Sequence, residues 1–363
     1  MTDMESLTMD AVGKLDAYGK LGSWSPLSLF ASSEVGAWYD PSDLTTLFQD
    51  DAGTTPVTAV EQPVGKMLDK SGRGNHATQS TSANRPTLSA RYNQFVGTET
   101  LATQNVPTVA TTYTLRFEGT GSITLSGTKT GTYSAGTHSL TGVTAGTLTA
   151  TVTGTVSKAD LRVANDGVGI PAYQRVNTAT DYDTVGFPTY LRFNGSSSAM
   201  MTNTITPGTD KAQVFAGVRK LSDAAQAVVA ELSATIASNN GSLLLSAPNS
   251  AAANFNFSSK GTVLADNTVA GNSAPKTAVL SGLGSISGDS NDIKINGGTA
   301  TSVTTDQGTG NYLAYPLYIG ARAGTSLWLN GRLYSMIVRF GSNLTTAQIT
   351  NTEKYVNSKT KAY

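Results

Sequence analysis

The segment from Leu317 to Phe340, LYIGARAGTSLWLNGRLYSMIVRF, constrains the fold more than any other stretch of this 363-residue chain. Apolar and polar side chains alternate on either side of a short connection, as they do in β-strands. In the second half, apolar residues occupy both parities, which is typical of a strand covered on both faces. The segment therefore predicts an inner hairpin of a two-sheet sandwich.

The rest of the chain has the pattern of short strands and turns that is typical of an all-β protein. Short alternating segments are separated by Gly, Asn-Gly and Pro turns, and residues 211–220, KAQVFAGVRK, predict a central strand. Asn296-Gly297 predicts a hairpin turn. Near the end of the chain, Asn343 or Thr345 is placed to cap a terminal helix. The pattern indicates a sandwich rather than alternating βα units.

The composition changes between residues 93 and 167. Thr alternates there with Leu, Ile or Val, and segments 112–119 and 122–127 predict two of several antiparallel strands. The composition seen before residue 93 returns at residue 168. We therefore expect a discontinuous sandwich made of residues 31–92 and 168–363, interrupted by a small inserted β-sandwich domain at 93–167.

Residues 1–30 predict an N-terminal arm that anchors the chain to another protein. Four apolar side chains in it are candidate anchors: Trp24, Leu27, Leu29 and Phe30. The alternative interpretation is a frayed tail. The segment lacks a basic start and an apolar core, so we expect no signal peptide. No apolar run is long enough to predict membrane insertion.

Charge and cysteine content narrow the function classes. The formal net charge is zero and 14% of the residues are charged. A neutral chain has no electrostatic footprint for nucleic acid or for an anionic membrane, so neither is expected as a partner. The chain has no cysteine, which excludes disulfides, thiolate chemistry and cysteine metal sites.

A series of motifs resembles the laminin-G-like, concanavalin-A-like jelly-roll domains of bacterial and phage proteins. In order, the motifs are AWYD, DKSGRGNHAT, NRPTL, YLRFNG, VFAGVR, LYIGAR and NGRLYSMIVR. The residues that match the family pattern are Asp69, Ser71, Gly72, Gly74, Asn75, Ala77, Arg85, Pro86, Leu191, Phe193, Asn194, Gly195, Asn330, Gly331 and Leu333. The chain departs from the pattern in the long stretch between NRPTL and YLRFNG. That stretch is similar to small carbohydrate-binding and galactose-binding modules.

This resemblance implies an all-β, concanavalin A-like (LamG-type) jelly-roll sandwich with a C-terminal helix. Residues 27–78 also resemble phage and prophage structural proteins. The implied function is a bacteriophage virion structural protein: a tail, neck, fibre or head-decoration component, made in the host cytoplasm and present in several copies. Residues 1–30 would contact other virion proteins, and the outward face would bind host-surface glycan. A polysaccharide-degrading hydrolase or lyase on the same fold and a bacterial surface adhesin are the alternatives.

The sequence offers no poised catalytic set, so we predict that the chain is not an enzyme. The two histidines, His76 and His138, have no Ser and Asp at spacings that suggest a triad. Glycoside hydrolysis needs a pair of carboxylates. Glu231 stands alone in its strand, and Asp181 and Asp183 alternate in a turn-like segment.

Four oxygen-bearing residues near the first strand are candidate calcium ligands: Asp40, Asp43, Asp69 and Asn75. Carboxylate and amide oxygens from loops suit Ca²⁺. The alternative is structural, with Asp40 and Asp43 as turn and cap residues and Asn75 as a residue of positive φ. No other cofactor is expected.

Three aromatic residues are candidate glycan-binding residues: Trp328, Tyr312 and Tyr315. Sugar recognition uses aromatic faces together with polar groups that orient hydroxyls. Trp328 falls in the middle of the connection between the two strands described first. A core or interface anchor is the alternative role for it.

Overall fold

The computed structural model describes residues 24–164 and 166–363. In this part of the chain the strands pair in three antiparallel sheets, so the predicted all-β class is confirmed. The described residues contain one α-helix, α1 (Thr346–Thr360). Thr345 caps it through a capping box with Gln348, in which each side chain bonds the backbone of the other residue. No described helix is long and apolar enough to cross a membrane.

The segment before residue 93 contributes short strands and turns. Its strands are β1 (Val35–Tyr39), β2 (Leu47–Phe48), β3 (Lys66–Met67), β4 (Ala77–Thr78) and β5 (Thr87–Ser89). Short 3-10 helices lie at Pro26–Phe30, Leu44–Thr46 and Ser82–Asn84. Asp43 caps the second of these, where its side chain accepts a hydrogen bond from the Thr45 amide at 3.3 Å.

The Thr-rich segment forms a five-stranded sheet with a hydrophobic cluster of its own. Its strands are β6 (Gln104–Thr108), β7 (Thr111–Gly127), β8 (Gly131–Val143), β9 (Gly146–Thr153) and β10 (Ser157–Val163). The two strands expected at 112–119 and 122–127 are a single strand, β7, whose register shifts between Phe117 and Ser122. The glycines that suggested a turn sit at this irregularity, where a Cβ on Gly119 would lie 2.2 Å from the Thr155 carbonyl oxygen.

The remaining strands complete the other two sheets. They are β11 (Tyr190–Asn194), β12 (Met200–Ile205), β13 (Lys211–Lys220), β14 (Val228–Leu232), β15 (Ser242–Ser246), β16 (Asn254–Lys260), β17 (Leu264–Ala270), β18 (Lys276–Ser285), β19 (Ser290–Ile295), β20 (Thr301–Val303), β21 (Tyr315–Ile319) and β22 (Asn330–Phe340). The eight-stranded sheet runs β20-β19-β18-β13-β22-β11-β5, with β1 also on β22. The nine-stranded sheet runs β17-β16-β15-β14-β21-β12-β4-β3-β2. The main hydrophobic core draws buried side chains from both sheets, for example Val214 and Phe257.

The predicted hairpin between Leu317 and Phe340 is wrong. Strand β21 pairs with β12 and β14 in the nine-stranded sheet, whereas β22 pairs with β1, β11 and β13 in the eight-stranded sheet. The connection, residues 320–329, crosses from one sheet to the other. Alternation reports that two strands are present, but it does not report which strand each one pairs with.

The face of the eight-stranded sheet that points away from the main core is covered in two places. Helix α1 packs on β13, β18 and β22, and Val356 joins Phe215 and Ile337 in a buried cluster. Leu29 and Phe30 belong to the same cluster and are 1% and 2% exposed. These two predicted anchors therefore pack within the chain. Trp24 packs against the same cluster, and Leu27 is 52% exposed. Residues 1–23 of the expected arm lie outside the described residues.

Candidate functional site

The three predicted glycan-binding aromatics are not brought together on one surface. Tyr312 is 1% exposed, and its ring packs 5.7 Å from that of Phe340. Its hydroxyl shares a 2.5 Å hydrogen bond with Ser259, and burial raises its pKa. Tyr312 is therefore a core residue with no ring face open to a sugar. Tyr315 is half-buried and donates to the Asn240 carbonyl at 3.1 Å.

Trp328 lies in the connection that crosses between the two sheets and is half-buried. The connection is held by a tight turn, in which the Arg322 amide donates to the Ser326 carbonyl at 2.8 Å. Ala323 and Leu327 both have positive φ, 51° and 50°. Non-glycine residues in this conformation cost about 1–3 kcal/mol each and persist where the surrounding structure imposes them, often at functional sites. The backbone that presents Trp328 is thus strained at the residue directly before it.

The candidate calcium ligands accept hydrogen bonds or ion pairs from the protein itself. Both carboxylate oxygens of Asp69 accept from Ser71, at 2.8 Å each. Asp40 accepts from Ser42 and pairs with Lys359 at 3.0 Å, and Asp43 pairs with Lys70. Burial raises the pKa of Asp40, but the Ser42 hydrogen bonds and the Lys359 charge outweigh it, so the pKa lies below its usual value.

The backbone conformation of Asn75 differs from the one expected for it. Its φ is not positive, although Gly72 and Gly74 beside it have φ of 79° and 74°. Its side-chain amide donates to the Gly36 carbonyl at 2.7 Å, and its backbone amide donates to Asp69 at 3.0 Å. Within residues 24–164 and 166–363, no three His, Asp or Glu side chains are grouped as metal ligands. A calcium ion here would have to displace two lysines.

The carboxylates considered for hydrolysis are bound to arginines. Glu231 is fully buried, 2.9 Å from Arg322. Asp181 and Asp183 both lie 3.1 Å from Arg175. Hydrogen bonds from Asn177 and Arg175 lower the pKa of Asp181, which favours an ionised carboxylate rather than a proton donor.

The two histidines have structural hydrogen bonds. His76 Nδ1 accepts from the Asp69 amide at 3.0 Å. His138 lies on β8, with Nε2 at 2.7 Å from the Ser134 carbonyl. The two residues therefore lie in different parts of the fold, His76 directly before β4 and His138 on β8. Each one is hydrogen-bonded to nearby backbone.

A row of three arginines crosses neighbouring strands of the eight-stranded sheet. Arg192 on β11 is directly opposite Arg332 on β22, which is directly opposite Arg219 on β13. We call these three residues the arginine ladder. Like charges directly opposite one another destabilise a sheet, so such a row needs compensation. Sequence reasoning missed the ladder because three separate strands supply it, and their register is not readable from local patterns.

A cleft with a volume of ≈ 400 Å³ lies beside the ladder. One wall comes from the sandwich, with Arg192, Arg332 and Tyr190, and the other from the Thr-rich segment and its entry, with Pro107 and Val163. The guanidinium of Arg332 lies over two aromatic rings, 4.9 Å from Tyr92 and 4.4 Å from Tyr190. These stacking contacts hold its planar donor group in one orientation.

Asp166 compensates part of the ladder. Its side chain is buried, and one oxygen lies 2.7 Å from Arg219 and 3.4 Å from Arg332. Arg192 pairs instead with Glu61, at 3.0 Å. Asp166 follows the last strand of the Thr-rich sheet, so this contact also ties that segment to the sandwich.

No family model matches the sequence, and no curated protein matches it. Among solved structures, the binding domain of botulinum neurotoxin serotype D is similar over 46% of this chain, with 11% identity and a TM-score of 0.37; the match covers 42% of that chain. The CBM40 of a Ruminococcus gnavus IT-sialidase, solved bound to α2,3 sialyllactose, is similar over 41% of this chain and 95% of that one, with 11% identity and a TM-score of 0.33. The NanB sialidase of Streptococcus pneumoniae is similar over 39% of this chain and 23% of that one, with 12% identity and a TM-score of 0.32.

Proposed function

We propose that this chain is a non-enzymatic, glycan-binding structural protein of a bacteriophage particle. The observation that most directly supports glycan binding is the strained connection that contains Trp328. Leu327, in a left-handed conformation, directly precedes a tryptophan that is half-buried in the connection between the two sheets. An indole face held on rigid backbone is suited to stacking on a sugar ring.

The non-enzymatic part of the proposal is supported by the ion pairs of the candidate carboxylates. Catalysis by a glycosidase needs one carboxyl group that donates a proton and another that attacks or activates water. Glu231 is occupied by Arg322, and Asp181 and Asp183 share Arg175. Incubation with capsular or cell-wall polysaccharide should release no reducing ends, and measurable release would support a hydrolase instead.

The virion part of the proposal is supported by the sequence resemblance to phage structural proteins and by the neutral composition. Locating the chain in a reconstructed phage particle tests it. Density for the sandwich in a symmetric, outward-facing position is the expected result. A purified particle that lacks the chain by mass spectrometry would contradict it.

A glycan array tests the binding part. We expect the full chain to bind a subset of glycans and Trp328→Ala to lose at least about tenfold in affinity, because stacking contacts and apolar burial of an indole are removed. Tyr363→Ala removes an exposed aromatic ring, which lies beside Gly297 rather than in the connection, and serves as the matched control that should bind as the wild type does. Equal signals from the wild type and Trp328→Ala would remove Trp328 from the site.

A further inference from the structure

The arginine ladder carries more positive charge than its surroundings neutralise. Arg192 and Arg332 of the ladder line the cleft together with Arg91, and Arg219 lies behind them on the neighbouring strand, directly opposite Arg332, which makes four guanidinium groups. Among the residues that the structure describes, the carboxylates that touch the ladder are Asp166, which also lines the cleft, and Glu61. Four positive charges against two negative charges leave an excess of two in a partly buried place, where charge is weakly screened.

Burial makes this excess more costly. Arg219 is 1% exposed, and its Nε and Nη2 atoms have no hydrogen-bond partner among the described residues. A buried, incompletely paired guanidinium is unfavourable unless something else compensates it. An anion in the adjoining cleft would supply that compensation through the local field. The ladder therefore has the features of a site whose ligand is negatively charged.

The cleft holds its arginines ready for such a ligand. Arg332 is stacked on two tyrosines and 14% exposed, whereas Arg192 is 48% exposed and reaches the same opening. Arg91 is fixed by hydrogen bonds of 3.0 Å to the carbonyls of Asn93 and Gln94. Planar guanidinium groups in fixed positions suit the bidentate recognition of a planar carboxylate.

We propose that this cleft binds the carboxylate of an acidic saccharide, with Arg332 and Arg192 as the anion-binding residues. A cavity of ≈ 400 Å³ accommodates a sugar ring, and its polar lining includes Asn93 and Gln94. The formal net charge of zero favours a small charged group over a nucleic-acid backbone, which is recognised by an extended basic surface. The saccharide identity of the ligand rests on the proposed function, whereas the negative charge rests on the ladder.

Isothermal titration calorimetry of the full chain at low ionic strength tests the proposal with methyl β-D-glucuronide and its neutral counterpart, methyl β-D-glucoside. We expect saturable binding of the glucuronide and none of the glucoside. Arg192→Gln should weaken binding by at least about tenfold, since it removes a charge-assisted hydrogen bond. Arg175→Gln, an arginine that also pairs with carboxylates but does not line the cleft, should bind as the wild type does.

Further arms separate the sources of negative charge. Sodium acetate and inorganic phosphate that compete as well as the glucuronide would overturn the saccharide assignment, and tighter binding of a duplex DNA oligonucleotide would overturn it in favour of nucleic acid. Equal binding of glucuronide and glucoside, or of wild type and Arg192→Gln, would overturn the role of the arginines. Arg332→Gln is the second variant, and Arg192→Gln decides the result if Arg332→Gln does not fold.

The two proposals fail separately. If array glycans bind through Trp328 but the glucuronide does not bind, the proposed function stands and the acidic site is wrong. If neither the array nor the titration shows binding, both are wrong.

Discussion

Single residues decide whether the arginine ladder can be accommodated at all. Asp166 has a side chain that is 5% exposed and contacts two arginines, of which Arg219 is itself 1% exposed. Removing one partner of a buried pair leaves an uncompensated charge, which is far more costly than the net value of the pair. Two of the three arginines of the ladder thus depend on one carboxylate.

Asp166→Asn should lower the free energy of unfolding by about 3–5 kcal/mol, because it leaves two arginines without their shared counter-charge. Urea denaturation followed by tryptophan fluorescence measures the change. Asp181→Asn, which weakens an exposed pair with Arg175, is the matched control and should leave the free energy of unfolding nearly unchanged, because exposed ion pairs contribute little. Similar losses for the two variants would show that Asp166 does not act as described.

At the level of elements, helix α1 packs on the eight-stranded sheet at a glycine of β13. A Cβ on Gly217 of β13 would lie 1.9 Å from Thr360 Oγ1 and 3.1 Å from Val356 Cγ1 of α1. The helix therefore approaches the strand more closely than a side chain at this position would allow. Val356 and Phe215 form the buried contact that this approach makes available.

Gly217→Ala should destabilise the chain by about 1–3 kcal/mol, since the added methyl group forces the helix outward or strains the strand. Thr360→Ala removes the clashing hydroxyl, so the double variant Gly217→Ala/Thr360→Ala should be less destabilised than the sum of the two single variants. A double-mutant cycle from thermal or urea unfolding gives this coupling. Strict additivity would mean that the helix does not meet Gly217 as the contact distance indicates.

At the scale of the whole molecule, the loss of stability at acidic pH tests how distant segments are joined. Asp210, just before β13, is bound to Lys211 at 2.7 Å and to Ser287 in the turn after β18. Burial alone raises its pKa, but the hydrogen bonds of Lys211 and Ser287 outweigh it and lower the pKa to about 2. A carboxyl group with a depressed folded-state pKa stabilises the fold above its unfolded pKa and loses this contribution as the pH falls through the folded value.

We therefore expect stability to fall between about pH 4, near the unfolded pKa of aspartate, and about pH 2. The pKa values of Asp40 and Asp43 are also lowered, so their contributions change in the same direction. Asp160 opposes the trend, because burial raises its pKa. Urea midpoints measured across this range should drop less in Asp210→Asn than in the wild type. An equal drop in both would remove Asp210 from the account.

Local patterns were sufficient for the class of fold and for several of its boundaries. Period-two alternation, the turn at Asn296-Gly297 and the cap at Thr345 depend on neighbours a few residues away, and the structure has a strand, a turn and a helix start where they were expected. Sequence also singled out Trp328, whose place in a binding site stays a prediction. It misjudged Tyr312, because an aromatic residue near a loop gives no sign of whether the chain will later cover it.

Pairing between strands far apart in the chain decided the sheet topology and the arginine ladder. Nothing in NGRLY or YLRFN shows that Arg332 will face Arg192 and Arg219, since register is set by contacts between strands far apart in the chain. The same holds for Leu317–Phe340, whose alternation predicted two strands correctly and their partnership wrongly. Side-chain periodicity is a local property of the backbone, whereas the choice of a partner strand depends on which apolar faces the whole chain can bury together.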